Sequence, residues 1–323
     1  MSIQRFASFV RDKYSYIIIT SLILGILVGF YTNYPGLVLK KFSVAFIVVM
    51  IASMGFTITF RSFALALRDL KGFSFGMALN FIFAPLLCYA IALAVPEPEI
   101  AVGLILIGAV PCAGMAMVWA GLLDGDVPLA VVINTGTMIL APFVIPLIML
   151  YLAGSYVKIN AVEMFLNLIY TILLPVLAGM VAREIAERKI DVKRYLPLCP
   201  AISALCAVFL MFIAVNTSMP IILKNLQLLP PLIVSAVIIF PSLFAFAYVV
   251  SSRLFNRAKN VAITYSCGMK NLPIALGIAI MSFGTLVALP IAVSFAFQML
   301  TAVGFYRIFR RVEAAEAQGT GGV

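Results

Sequence analysis

Histidine does not occur anywhere in the chain. Its absence removes imidazole metal ligands, Ser-His-Asp triads and the commonest proton shuttle together. Charge is nearly as scarce: 11% of residues are Asp, Glu, Lys or Arg, against about 25% in a soluble domain. With 64% apolar side chains over 323 residues, the chain cannot cover its surface for water and is expected to lie in a membrane. The alternating segments of about ten residues that mark a lipid-exposed β-barrel are missing too. The five cysteines, Cys88, Cys112, Cys199, Cys206 and Cys267, are odd in number and lie in or beside apolar runs. No disulfide framework is therefore expected, and no redox compartment follows. No metal, cofactor or nucleic-acid partner is expected. An intramembrane enzyme is disfavoured because it needs paired carboxylates at depth, a histidine or a metal cluster. A channel is disfavoured by the lack of a ring-forming charged motif.

What the chain has instead is long apolar runs, each near the 17–25 residues or so that a helix needs to cross about 30 Å of hydrocarbon. They predict an all-α integral membrane protein, one polytopic domain over 1–323, with ten helices near 15–31, 42–60, 73–95, 100–123, 127–153, 160–182, 197–219, 230–252, 260–284 and 286–306. The first run follows Arg5, Arg11 and Lys13, yet no small-residue cleavage pattern comes after it, so it reads as a retained helix.

Basic residues fall unevenly between the runs. Arg5, Arg11, Lys13, Arg61, Arg68, Lys71, Arg183, Arg188, Lys189, Lys193, Arg194, Arg253, Arg257, Lys259, Arg307, Arg310 and Arg311 share one side; Lys40, Lys41, Lys158 and Lys224 share the other. The positive-inside rule then places both termini in the cytoplasm of a multi-pass cell-membrane protein. The net charge of +10 reads as a topology signal with some attraction to anionic lipid.

One basic residue is left over. Lys270 lies about ten residues, or roughly 15 Å, from either end of the ninth span, too far to snorkel to the headgroups. No acid lies at comparable depth in any span; Glu163, close to a helix start, is the nearest. Two roles are open to Lys270: a structural ammonium bonded to carbonyls freed by a helix break, or a functional group on a substrate or proton pathway.

Five spans precede and five follow the basic stretch Arg183 to Arg194, so a duplication would set the halves, 15–153 and 160–306, in opposite orientation. At matching places the fourth span is interrupted by Pro111-Cys112-Ala113-Gly114, and the ninth by Gly268-Met269-Lys270-Asn271-Leu272-Pro273. Proline removes a donor and clashes with the turn before it, and glycine lowers helix propensity. Unwound backbone at that depth is tolerated only inside protein or along a cavity, so a binding site is expected where the breaks cross. Asn134, Thr135 and Thr137 on the fifth span are open to solute binding or to interhelical hydrogen bonding. Asp124 and Asp126 read as turn and cap residues.

The stretch from Glu99 through Pro111-Cys112 to Asp126, together with Gly268-Met-Lys-Asn271 and Ser282-Phe-Gly284, resembles the bile acid/sodium symporter superfamily. The resemblance extends from the first span to about Arg311. It implies ten helices in a panel and a core domain, with discontinuous fourth and ninth helices that cross. Cys112, Met115, Val118 and Trp119 are similar to the arsenite-permease branch, whereas Ser266-Cys267-Gly268-Met269-Lys270-Asn271 is nearer the symporter branch. The symporters' sodium ligands would fall on Ser266, Lys270, Ala116, Met117, Ala130 and Asn134, where most of the oxygens a hard cation requires are gone. Lys270 would put an ammonium where one sodium sits, and Pro273 stands where the arsenite branch carries a glutamate.

Together these readings predict a secondary active transporter of that type, moving a small organic anion by alternating access without sodium. Protons are a candidate coupling ion, carried by Lys270, and the assembly is a monomer or a homo-oligomer. The substrate site is expected at Pro111, Cys112, Ala113, Gly114, Asn134, Ser266, Cys267, Gly268, Met269, Lys270, Asn271 and Pro273. Arsenite efflux using Cys112, a soft ligand, is the alternative.

Overall fold

The structure, a computed structural model, describes residues 14–59, 69–192 and 195–319. Arg5, Arg11, Lys13, Arg61, Arg68, Lys193 and Arg194 of the basic series, and Phe60 at the end of the second predicted span, lie outside the described residues. Among the described residues there is no β-sheet. The helices are α1 (Tyr14–Tyr31), α2 (Tyr34–Lys40), α3 (Ser43–Gly55), α4 (Leu70–Ala92), α5 (Pro98–Ala109), α6 (Met115–Leu122), α7 (Val127–Ala153), α8 (Ala161–Glu187), α9 (Leu198–Lys224), α10 (Leu229–Leu254), α11 (Arg257–Gly268), α12 (Leu272–Ser282) and α13 (Thr285–Gly319).

Six stretches are long and apolar enough to cross a membrane alone: α4, α7, α8, α9, Leu226–Leu254 with its short 3-10 entry, and Thr285–Val312; α2 and α3, bent by 58°, make a seventh when counted as one. The remaining apolar segments are short. α5 has 12 residues and α6 has 8, or about 18 and 12 Å at 1.5 Å per residue, so neither crosses by itself. Two boundaries differ from the sequence expectation. The chain turns helical at Tyr34 rather than near 42, because Pro35 suits a first helical turn. α13 runs on well past 306, since no proline or glycine lies between Gly304 and Gly319.

Proline shapes the helix interiors. In α4 a π-turn covers Leu79–Phe83, and the Ala84 N–H reaches back five residues to the Leu79 carbonyl. In α8 the π-turn Ile169–Leu173 sends the Leu174 N–H to Ile169 in the same way. Each π-turn lies just ahead of a proline, Pro85 or Pro175, whose ring crowds the carbonyl four residues earlier and offers no N–H. Widening the turn relieves that clash.

The helices pack in two groups. In the panel group α9 lies against α1, α2 and α3, and α3 against α8. Gly55 and Gly179 let α3 and α8 touch backbone to backbone: a Cβ on either would collide with the other helix's main chain, at Val176 or Ala52. In the core group α4 packs on α5, α5 on α13, α13 on α10, α10 on α11, and α11 on α6 and α7. The groups meet where α9 and α3 face α12 and α13, and where α8 packs on α7.

At one end of the bundle the Asp126 N–H bonds to Ala258 O at 2.8 Å, Arg257 Nη1 to Leu123 O at 3.1 Å, and Lys259 pairs with Asp69 at 2.7 Å. Asp126 also caps α7 by accepting the Leu129 N–H, the turn chemistry expected of it. Asp69 caps α4 through the Gly72 N–H. The Lys259 ammonium holds the Asp69 carboxyl below the usual carboxylate range, helped by that N–H and opposed by partial burial. A depressed carboxyl stabilises the fold above its unfolded pKa and loses that contribution as pH falls through the folded value. Asp69→Asn, which keeps the cap, should lower the melting temperature of detergent-purified protein at pH 7 by the few degrees expected of a partly exposed pair worth about 0.2–1 kcal/mol. The gap from wild type should close below roughly pH 4.

Candidate functional site

Both interruptions expected in the fourth and ninth spans are present. The helical path stops after Ala109 and resumes at Met115; it stops again after Gly268 and resumes at Leu272. Between them Cys112 and Lys270 pair as a single antiparallel bridge. The Ala113 N–H donates to Met269 O at 2.7 Å, and the Asn271 N–H donates to Pro111 O at 2.9 Å. Each unwound strand thereby satisfies the other's backbone, where an unpaired group costs several kcal/mol. Side chains supply the rest. Cys112 N–H donates to Thr137 Oγ1 at 3.2 Å, Asn134 Nδ2 donates to Cys112 O at 2.8 Å, and Lys270 N–H donates to Gln298 Oε1 at 2.9 Å. Asn134 and Thr137 thus hold the crossing together, while Thr135 bonds back along its own helix to Val131 O.

Lys270 is fully buried. Its Nζ donates to both oxygens of Asn80, the main-chain carbonyl at 3.2 Å and Oδ1 at 3.1 Å. The origin of that carbonyl lies in α4. The Ala84 N–H that would have bonded it is spent on Leu79, and the next residue, Pro85, has none. The ammonium therefore takes a carbonyl left open by the π-turn, not one freed by the break in its own span. Only amide oxygens hold it.

A cavity of about 240 Å³ opens beside the crossing, between the two helix groups. Its core wall is Ala113, Gly114, Met115, Met117, Val118, Asn134, Met269, Lys270, Asn271, Pro273, Phe295, Gln298 and Met299; its panel wall is Met54, Thr57, Pro200, Ser203, Ala204 and Ala207. Five methionines make this lining soft and adaptable in shape. The amino ends of α6 and α12 both reach the wall, at Gly114 and Met115 and at Asn271 and Pro273, and lend partial positive charge to an otherwise apolar space. α4 contributes no lining residue. The Lys270 ammonium, turned to Asn80, therefore stands behind the wall.

Of the residues expected at the site, Ala113, Gly114, Asn134, Met269, Lys270, Asn271 and Pro273 reach the cavity. Pro111 and Cys112 build the crossing behind it. Ser266, Cys267 and Gly268 are buried in α11 away from the wall. Sequence reasoning missed Asn80 and Gln298 because it weighed neutral polar groups only on the fourth, fifth and ninth spans; each is a lone amide in an apolar run and could have been found on that ground. The panel wall left no signal, since Ala204 and Ala207 look like ordinary packing.

Two discontinuous helices crossing beside a cavity in an apolar bundle define a multi-pass secondary transporter. A family model described as "Sodium Bile acid symporter family" matches residues 44–225, and the chain belongs to that family. It is 24% identical to "Uncharacterized sodium-dependent transporter YocS" of Bacillus subtilis (strain 168), over 81% of each chain. It is 27% identical to "Probable sodium/metabolite cotransporter BASS2, chloroplastic" of Oryza sativa subsp. japonica, over 84% of this chain and 65% of that one. "Arsenical-resistance protein Acr3" of Corynebacterium glutamicum is 24% identical over 72% of this chain and 70% of its own. These relatives are named as transporters or a resistance protein, not as enzymes.

The Asn80 contact is testable by a double-mutant cycle. Asn80→Leu should cost about 1–3 kcal/mol by stripping one acceptor from a buried ammonium, and Lys270→Met a comparable amount. The double variant should recover much of the loss in thermal unfolding of purified protein. Additive costs would show that the two side chains do not act together.

Proposed function

We propose that this transporter moves a small organic anion with an apolar body, by alternating access and without sodium. The reading includes ten crossings in two inverted halves, 15–153 and 160–306, with both termini cytoplasmic. It rests on one observation above all: the Lys270 ammonium is held in amide oxygens at the crossing, directly behind a cavity on which two helix amino ends converge. Positive charge without a carboxylate favours an anionic head, and the methionine and phenylalanine lining favours an apolar tail.

The same contact supports sodium independence. An ammonium already sits in the pair of oxygens from Asn80, a fixed internal cation that a hard ion would have to displace. Proton coupling through Lys270 belongs to this proposal too: the ammonium is the one basic group buried at the crossing among the described residues. Arsenite efflux is the second reading, supported by the resistance-protein relative. Against it, the Cys112 thiol turns to Ala113 O at 3.4 Å and is not part of the cavity wall.

The direct test is thermal stabilisation of purified protein by carboxylates, vitamins, bile acids and arsenite, in sodium and in potassium buffer, followed by vesicle uptake of any hit. The expected hit is a carboxylate acting equally in both buffers, with binding weakened at least tenfold in Lys270→Ala. Strictly sodium-dependent uptake that survives Lys270→Ala would sink both the anion and the sodium arguments. Arsenite resistance in a sensitive host, lost in Cys112→Ser, would establish the second reading.

A further inference from the structure

The amino ends of α6 and α12 do not face the cavity bare: one side chain from the panel lies across both. Met54, in the last turn of α3, lines the cavity from the panel side. Its Sδ accepts from Asn271 Nδ2 at 3.9 Å. A Cβ on Gly114 would lie 3.2 Å from its Cε. Asn271 caps α12 by accepting the Ile274 N–H, and Gly114 immediately precedes α6. A single thioether thus touches both helix ends, and beneath it Asn271 is only 2% exposed although it belongs to the cavity wall.

The backbone delivers Met54 to that spot. Gly277 leaves a gap on α12 that Ile47 of α3 fills, since a Cβ on Gly277 would lie 2.6 Å from Ile47 Cδ1. From Ile47, two turns of α3, or about 10 Å, lead back to the same face at Met54. From Gly277, a step of about 9 Å toward the start of α12 leads to Asn271. The two helices run in opposite directions, so both steps end at one place. Gly55, next to Met54, lies against the α8 main chain at Val176 and fixes the helix end from which the thioether projects. Yet a thioether matches this position poorly. Its sulfur is a weak, uncharged acceptor, whereas two helix amino ends and the Asn271 amide together favour an anionic oxygen. Its unbranched chain can leave by rotation about its own bonds.

We propose that Met54 is a built-in stand-in for the solute's head group: it holds the place of the anion at the two helix ends and yields it on binding. Met54 thereby becomes a specificity-determining residue. A charged oxygen bonds the Asn271 amide more strongly than the thioether does and displaces it. The neutral amide or ester of the same apolar body gains too little there to do so. The inference rests on the anion reading of the cavity, but not on the identity of the solute.

Charged thiol reagents test this without any substrate. Purified Gly114→Cys, with and without Met54→Ala, is treated with the anionic sulfonatoethyl and the cationic trimethylammonioethyl methanethiosulfonate. Thr57→Cys, on the panel wall of the same cavity, corrects for the reagents' own reactivities, and the wild type, whose five cysteines are all buried, is the blank. Met54→Ala should speed reaction at Gly114→Cys about tenfold and leave Thr57→Cys nearly unchanged. Relative to Thr57→Cys, the anionic reagent should be favoured at Gly114→Cys by roughly tenfold, the lower end of what a charged cleft achieves. Met115→Cys, at the first residue of α6 and also on the wall, gives the same readings should Gly114→Cys not fold. Rates that do not rise with Met54→Ala, while the anionic reagent is still preferred, overturn the inference and leave the anion reading standing. Faster rates with the cationic reagent preferred overturn it from the other side, by removing the anion reading on which it rests.

Discussion

Hydrocarbon supplies no partner for a backbone N–H or C=O, and the centre of this molecule is organised by that fact. Each broken span carries unwound residues that would be intolerable alone. Set against one another they exchange two main-chain bonds, and the groups left over are taken by Thr137, Asn134 and Gln298. The crossing is consequently one unit made from six helical segments, with α7 and α13 supplying the side-chain amides and the hydroxyl that complete it.

A second chain of causes starts from a proline. Pro85 forces a wider turn in α4, the wider turn strands the Asn80 carbonyl, and that carbonyl with its own side-chain amide receives the one ammonium buried at the crossing among the described residues. The charge is thereby held near the cavity without occupying it. The panel wall offers chiefly small side chains there.

Much of this was legible in residues. The breaks at Pro111 and at Gly268 to Pro273 could be read from proline and glycine placement, since those residues disrupt a helix wherever it packs. Lys270 stood out because a charge so far from either interface has no bland surface explanation. The amides escaped notice for the opposite reason: Asn80 and Gln298 are neutral, and their importance comes from what lies across from them. Cys267 and Gly268 were expected at the site because they adjoin it in sequence, but helical rotation turns them away from the cavity.

By itself the sequence determined the membrane setting, the all-helical architecture and the two interruptions, because hydrophobic length and backbone chemistry act locally and need no partner. Only the tertiary structure decided which way the ammonium points, which helices wall the cavity, and that Met54 lies against Asn271. Those are relations between segments 190 residues and more apart, and they are set by how helices rotate and pack.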